Sequence, residues 1–237
     1  MPARFRIATE NTTYAMPETG IGLFPDVGGG WYLPRKPGQI GMWLALTGAR
    51  LKAADCLIAG VATHYMPTEI LEAARAQIAG AAQTHDAGRA LESGLEALSE
   101  SAGKPKELTP ENIERINRIF ALDSVEAIFT ALEADGSDWA NAQLATLKTK
   151  SPQAMKVSFR QMREGAKMQS FEDEMRSEYR LASRVASRPD FQEGVRALIV
   201  DKDNKPVWNP ATLEGVTDAL LDELFAPLPA QEEWSPL

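Results

Sequence analysis

Apolar and polar positions alternate at the start of the chain, where Phe5 and Ile7 stand among Arg4 and Arg6. That two-residue period predicts a half-buried strand, with a turn at Glu10-Asn11 behind it. Residues 12–16 read as a second strand, stopped by Pro17. From 17 to 30 the pattern dissolves into Gly20, Gly22, Pro25 and Gly28-Gly29-Gly30. This stretch reads as loop, because a helix tolerates neither Pro25 nor three consecutive glycines. Residues 31–34 predict a short helical turn, and 40–47 a helix closed by Gly48. Residues 51–59 predict a second short helix ended by Gly60, and 61–66 a strand before Pro67.

Beyond Pro67 the apolar period becomes helical. Residues 69–83 form an Ala-rich helix candidate, whereas 85–106 are weakly patterned and read as mobile. Thr109-Pro110 is an N-cap followed by proline at the first helical position, and Ile113, Ile116 and Phe120 make the apolar face behind it. Asp123 with Glu126 has the spacing of a capping box, backed by Val125, Ile128, Phe129 and Leu132. Ser151-Pro152 repeats the Thr109-Pro110 device. Ser170 with Asp173 opens a helix carrying Met175, Tyr179, Ala182 and Val185. Asp190 with Glu193 opens the next, and 217–225 is the last. The chain has no internal repeat. The pattern predicts part of an α/β core over residues 1–80 and a helical C-terminal region over 81–237.

Composition narrows the function classes. Apolar residues make up 44% and charged residues 24% of 237, the balance of an ordinary soluble globular chain. No apolar run is long enough to cross a bilayer, and the first residues lack a signal-peptide core or an import-type Arg/Ser-rich run. A formal charge of −8 argues against nucleic acid as partner. The single cysteine, Cys56, forms no internal disulfide, so a reducing, cytoplasmic-type compartment is expected, or the mitochondrial matrix in a eukaryote. With two histidines and one cysteine, no protein-built zinc site is expected.

Three groupings are candidates for chemistry. Cys56 and His64 lack an orienting acid at a recognisable spacing, so they read as a buried small cysteine and a satisfied structural histidine. Gly28-Gly29-Gly30 has neither the lysine and hydroxyl of a P-loop nor the spacing of a dinucleotide site, and reads as a close-packed turn. Glu18 and Asp26 each follow a proline in one loop, among Met16, Ile21, Leu23, Phe24 and Val27. Apolar surroundings raise a carboxylate pKa into a useful range, and loops often carry catalytic groups. A capping role fits equally, Glu18 for the following turn and Asp26 for the Gly28 segment. A glycosidase pair is disfavoured because no sugar-stacking tryptophans lie beside this aliphatic loop.

The same segment carries a resemblance. Arg6-Ile7-Ala8-Thr9-Glu10, then Ala15-Met16-Pro17-Glu18-Thr19-Gly20-Ile21-Gly22-Leu23-Phe24-Pro25-Asp26-Val27-Gly28-Gly29-Gly30, is similar to the crotonase (enoyl-CoA hydratase/isomerase) superfamily. The likeness continues through Leu46-Thr47-Gly48 and Gly60-Val61-Ala62 to Pro67. At Asp26 the hydratases typically carry glycine, so the sequence resembles the branch of thioester hydrolases acting on 3-hydroxyisobutyryl-CoA. Glu178-Tyr179-Arg180, Asp190-Phe191, Glu193-Gly194-Val195-Arg196-Ala197, Asp201-Lys202-Asp203 and Pro206-Val207-Trp208 resemble the tail of that branch.

The resemblance implies a crotonase-like ββα superhelix, here its C-terminal portion, followed by the helical region. It implies thioester hydrolysis, with Glu18 as nucleophile or general base and Asp26 holding the substrate hydroxyl or handling a proton. A hydratase or isomerase, or a non-catalytic CoA-binding protein, are the alternatives. The implied partner is an acyl-CoA substrate, with no resident cofactor because CoA belongs to the substrate, no membrane partner, and room for a homo-oligomer. In the superfamily both backbone donors of the oxyanion hole precede the strand of Phe5 and Ile7. The chain is therefore expected to begin partway through the family domain. Arg35 and Lys36, after the glycine loop, read as solvated surface rather than as phosphate ligands.

Overall fold

The computed structural model describes residues 3–234. In chain order it runs β1 (Ile7–Ala8), a 3₁₀ turn (Glu18–Ile21), α1 (Gly29–Tyr32), a 3₁₀ turn (Leu33–Arg35), α2 (Ile40–Thr47), α3 (Ala53–Ile58) and β2 (His64–Tyr65). Then follow a 3₁₀ turn (Thr68–Ile70), α4 (Leu71–Ala81), α5 (Ala87–Leu98), α6 (Pro110–Ile119), α7 (Val125–Asp135), α8 (Asp138–Leu147) and α9 (Pro152–Gly165). The chain ends through α10 (Phe171–Val185), α11 (Pro189–Val195), a π-helical turn (Arg196–Val200) and α12 (Asp218–Phe225). Its contacts divide into two units, each discontinuous in sequence.

One unit joins the described part of Met1–Ala15 to Arg50–Ile113. β1 and β2 pair in parallel, Ile7 opposite His64 and Ala8 opposite Tyr65. Of the strand expected at 12–16 only an isolated bridge from Tyr14 to Leu51 remains. Residues 85–106 are not patternless. Asp86 caps α5 by accepting from the Arg89 N–H, and Leu91, Leu95 and Leu98 pack with Met66, Ala74, Phe5 and Ile7. The i, i+4, i+7 spacing of those leucines is a helical stripe, diluted by the charged and small residues between them. Buried Asp55 accepts from the N–H groups of Glu107 (3.0 Å) and Leu108 (2.8 Å), tethering the approach to α6.

The other unit joins Met16–Ala49 to the described part of Glu114–Leu237. Gly48 closes α2 in the left-handed conformation, and Ser151 and Ser170 cap α9 and α10 as expected; Thr217, read only as the start of the last helix, caps α12. Other expectations change. Gly29 and Gly30 open a short helix instead of continuing a loop, since Gly28 turns the chain at φ +82° and leaves them helical. The cap of α7 is Ser124 and not Asp123. α8, with its Ser137 cap, had no counterpart in the sequence reading. Asp190 does not cap α11. It is buried and accepts from the Ser151 hydroxyl and from the Asn209 N–H at 2.6 Å. Glu193 instead accepts from Arg196, which also holds Asp201 and Asp203.

A core cluster of this unit comprises Phe24, Val157, Leu181, Val185, Val216, Leu221 and Leu224. Helices α1 and α9 touch backbone to backbone, since a Cβ on Gly165 would lie 2.0 Å from the Gly30 carbonyl oxygen. Among the described residues no helix is long and apolar enough to cross a membrane.

Candidate active site

Glu18 opens the 3₁₀ turn directly after Pro17. Three anchors fix that turn. The Thr19 hydroxyl, fully buried, donates to the Leu46 carbonyl at 3.1 Å, and the Thr19 carbonyl accepts from the Ser151 N–H at 3.1 Å. Gly22 ends the turn at φ +72°, a conformation that glycine adopts without steric cost. The third anchor is a reciprocal close approach to α11. A Cβ on Gly22 would lie 2.3 Å from the Asp190 carbonyl oxygen, and one on Gly194 2.3 Å from the Ile21 carbonyl oxygen.

The Glu18 carboxyl is pushed up to about 7, first by burial and further by the charge of Asp26. Its Oε2 is buried with no hydrogen-bond partner. A carboxylate in that state is a poor structural element and a competent proton acceptor near neutrality. Asp26 bears electrostatically on both Glu18 and Glu178, so the fold brings the two sequence candidates together. The capping role weighed for Asp26 falls elsewhere: Glu178 accepts from the Val27 N–H (Oε1, 2.9 Å) and the Gly28 N–H (Oε2, 2.8 Å).

Sequence reasoning missed Glu178 and its neighbour Glu174. The buried face of α10 is Glu174, Glu178, Leu181 and Val185. The expected stripe through Met175 and Tyr179 is off by one position, and Tyr179 is 43% exposed. The i, i+4, i+7, i+11 spacing of the true face was visible, but two of its members are glutamates, so a search for apolar residues skips it. Burial, followed by the Glu178 charge, pushes the Glu174 carboxyl up to about 8. The glycine run is close-packed against this face. A Cβ on Gly30 would lie 2.4 Å from Glu174 Oε1 and 2.8 Å from Gln161 Nε2, and one on Gly28 2.8 Å from the Phe171 ring.

Val27, next to Asp26, has φ +49° and is 76% exposed. A β-branched residue is strained there, and exposure leaves little packing to offset the strain. Val27→Asn, a residue that tolerates this conformation, should raise stability by about 1 kcal/mol, read as an increased midpoint in urea unfolding with an unchanged slope.

The other candidates are structural. Cys56 is fully buried, its thiol pushed up to about 11 by burial first and by Asp55. His64 shares a 2.8 Å hydrogen bond with the Thr63 hydroxyl and lies 3.6 Å from Glu96. Arg35 is not simply solvated: it donates to the carbonyls of Trp31, Gly165 and Met168 and stacks on the Trp31 ring at 3.4 Å. A cavity of about 510 Å³ is lined by Leu33, Met42, Phe159, Met162 and Arg163, with neither Glu18 nor Asp26 on its wall. Among the described residues no group of three His, Cys, Asp or Glu is arranged to hold a metal.

The Enoyl-CoA hydratase/isomerase family model matches residues 1–225. The protein named 3-hydroxyisobutyryl-CoA hydrolase, mitochondrial, of Xenopus tropicalis is 44% identical over 226 residues, covering 94% of this chain and 58% of its own length. Its namesake from Danio rerio is 45% identical over 227 residues, covering 95% and 59%. The chain thus spans about three fifths of the length of these curated relatives. Two solved structures superpose well. A carnitinyl-CoA dehydratase from Mycobacterium thermoresistibile gives a TM-score of 0.84 at 35% identity, over 96% of this chain and 63% of the other. An enoyl-CoA hydratase from Rhodobacter sphaeroides 2.4.1 gives 0.83 at 34%, over 98% and 64%. The short parallel sheet and the helices that follow are accordingly a crotonase-like α/β arrangement, and the chain belongs to the enoyl-CoA hydratase/isomerase family.

Proposed function

We propose that the polypeptide carrying these residues hydrolyses the thioester of 3-hydroxyisobutyryl-CoA to 3-hydroxyisobutyrate and CoA. The observation that carries this reading is the Glu18 carboxyl, with an unpartnered buried oxygen and a pKa of about 7, within electrostatic reach of Asp26. The curated relatives named as hydrolases of this thioester support the choice of substrate. Glu18 attacks the thioester carbonyl directly, or takes a proton from a water that does so. In either route the C–S bond breaks, the electron pair leaves on sulfur, and water supplies the oxygen of the product acid. Asp26 holds the 3-hydroxyl of the substrate or handles the proton that the leaving thiolate needs.

The test is release of free thiol from 3-hydroxyisobutyryl-CoA, run beside hydration of crotonyl-CoA. Hydrolysis should dominate, and kcat/KM should rise with pH through about 7, because Glu18 works deprotonated and burial holds its proton on up to that pH. Asp26→Gly should lower hydrolysis by roughly 10²-fold. Hydration of crotonyl-CoA faster than thiol release would overturn the assignment.

A further inference from the structure

We propose that Glu178 is the positioning residue of the site: through the Val27 and Gly28 N–H groups it holds the segment that presents Asp26. This rests on the reading of Asp26 above and adds a residue to it.

The geometry fixes Asp26 from both sides. On its N-terminal side the Gln161 amide, on α9, donates to the Pro25 carbonyl at 3.0 Å. On its C-terminal side Glu178, on α10, accepts from two consecutive N–H groups, one at each carboxylate oxygen. The backbone so held is one the chain would not choose by itself. Val27 and Gly28 are left-handed in succession, at φ +49° and +82°, and the Val27 side chain is too exposed to be kept there by packing. Strained backbone persists where its surroundings over-determine it, and here Glu178 adds two bonds to the backbone bond from the Gly29 N–H to the Asp26 carbonyl (2.8 Å).

Glu178 is itself supported. Glu174, one turn earlier, is 1% exposed and pressed against Gly30, with one carboxyl oxygen unpartnered. Burial raises both carboxyls, Glu174 to about 8, and at Glu178 the two N–H bonds from Val27 and Gly28 work against that rise. The charged groups facing the pair are Asp26, which bears on Glu178, and Arg35, which bears on Glu174.

The experiment uses Glu178→Gln, Asp26→Asn and the double variant, with thiol release and amide exchange as readouts. In Glu178→Gln the Val27 and Gly28 amide hydrogens should exchange about tenfold faster while those inside α9 stay protected. Unchanged exchange at Val27 and Gly28 overturns the proposal whatever happens to turnover. In the kinetics, Glu178→Gln should lower kcat about tenfold, and adding it to Asp26→Asn should cost almost nothing more, because both changes remove one function. Additive losses also overturn the proposal, as they place Glu178 outside the action of Asp26. An Asp26→Asn variant with full activity overturns the reading of Asp26 instead, and the exchange result still decides for Glu178. Adding Val27→Asn to Glu178→Gln should recover part of the lost kcat, which a merely structural glutamate would not allow.

Discussion

Glu18→Gln is expected to lower kcat by about 10³-fold while leaving the protein folded and, above pH 7, more stable. Both halves follow from one feature. The Glu18 carboxyl has an ordinary value of 4.5 and is held at about 7, so the folded protein binds its proton more tightly than the unfolded chain does. Stability from this group is therefore fully present below pH 4.5 and lost as the pH rises through about 7, where a buried charge with an unpartnered oxygen must be accommodated. Glutamine removes that charge at nearly constant shape. Discounted for the part of the side chain that water still reaches, the gain at pH 8 should be about 1–2 kcal/mol, vanishing near pH 4. Urea unfolding of the two proteins at pH 4 and pH 8 measures it. Equal stability at both values would mean that Glu18 is hydrated or paired, and would weaken the case for its chemistry.

Gly194→Ala should damage stability and turnover together. The added Cβ would lie 2.3 Å from the carbonyl oxygen and 2.4 Å from the carbonyl carbon of Ile21. Neither atom belongs to a flexible side chain, so α11 or the 3₁₀ turn carrying Glu18 has to move. Overpacking of this kind costs about 3 kcal/mol, and a displacement of roughly 1 Å at a catalytic group costs about 10²-fold in rate. Gly80, in α4, has nothing within 4 Å of its ideal Cβ. Gly80→Ala should therefore be neutral or stabilising by up to about 1 kcal/mol. Thermal melts and turnover of the two variants separate close contact from the general effect of replacing a glycine.

That contact also explains what the sequence could and could not reveal. Helix ends were readable because their causes are local: Ser151, Ser170 and Thr217 each accept from an N–H three residues on, and Gly48 supplies the left-handed closure. Glu18 and Asp26 were readable as candidates because they sit within nine residues of one another in a loop with apolar neighbours. The remainder depends on contacts far apart in sequence. Glu178 meets the Val27 N–H across 151 positions, and Asp190 looks like a cap until the fold brings Ser151 to it. Glu174 and Glu178 lie on a buried face that hydropathy alone assigns to solvent. The weak patterning of 85–106 hid α5 because three leucines on one face suffice once Met66 and Ala74 supply the opposing surface.

Thioester hydrolysis at Glu18 and Asp26 is tested most directly by mass analysis of the products formed from 3-hydroxyisobutyryl-CoA in ¹⁸O-labelled water. The account predicts free CoA and 3-hydroxyisobutyrate carrying solvent oxygen in its carboxylate, in amounts that fall together in Glu18→Gln and in Asp26→Gly. An acyl-CoA product with the thioester intact and one water lost, or undiminished free CoA from the Glu18→Gln protein, would contradict it.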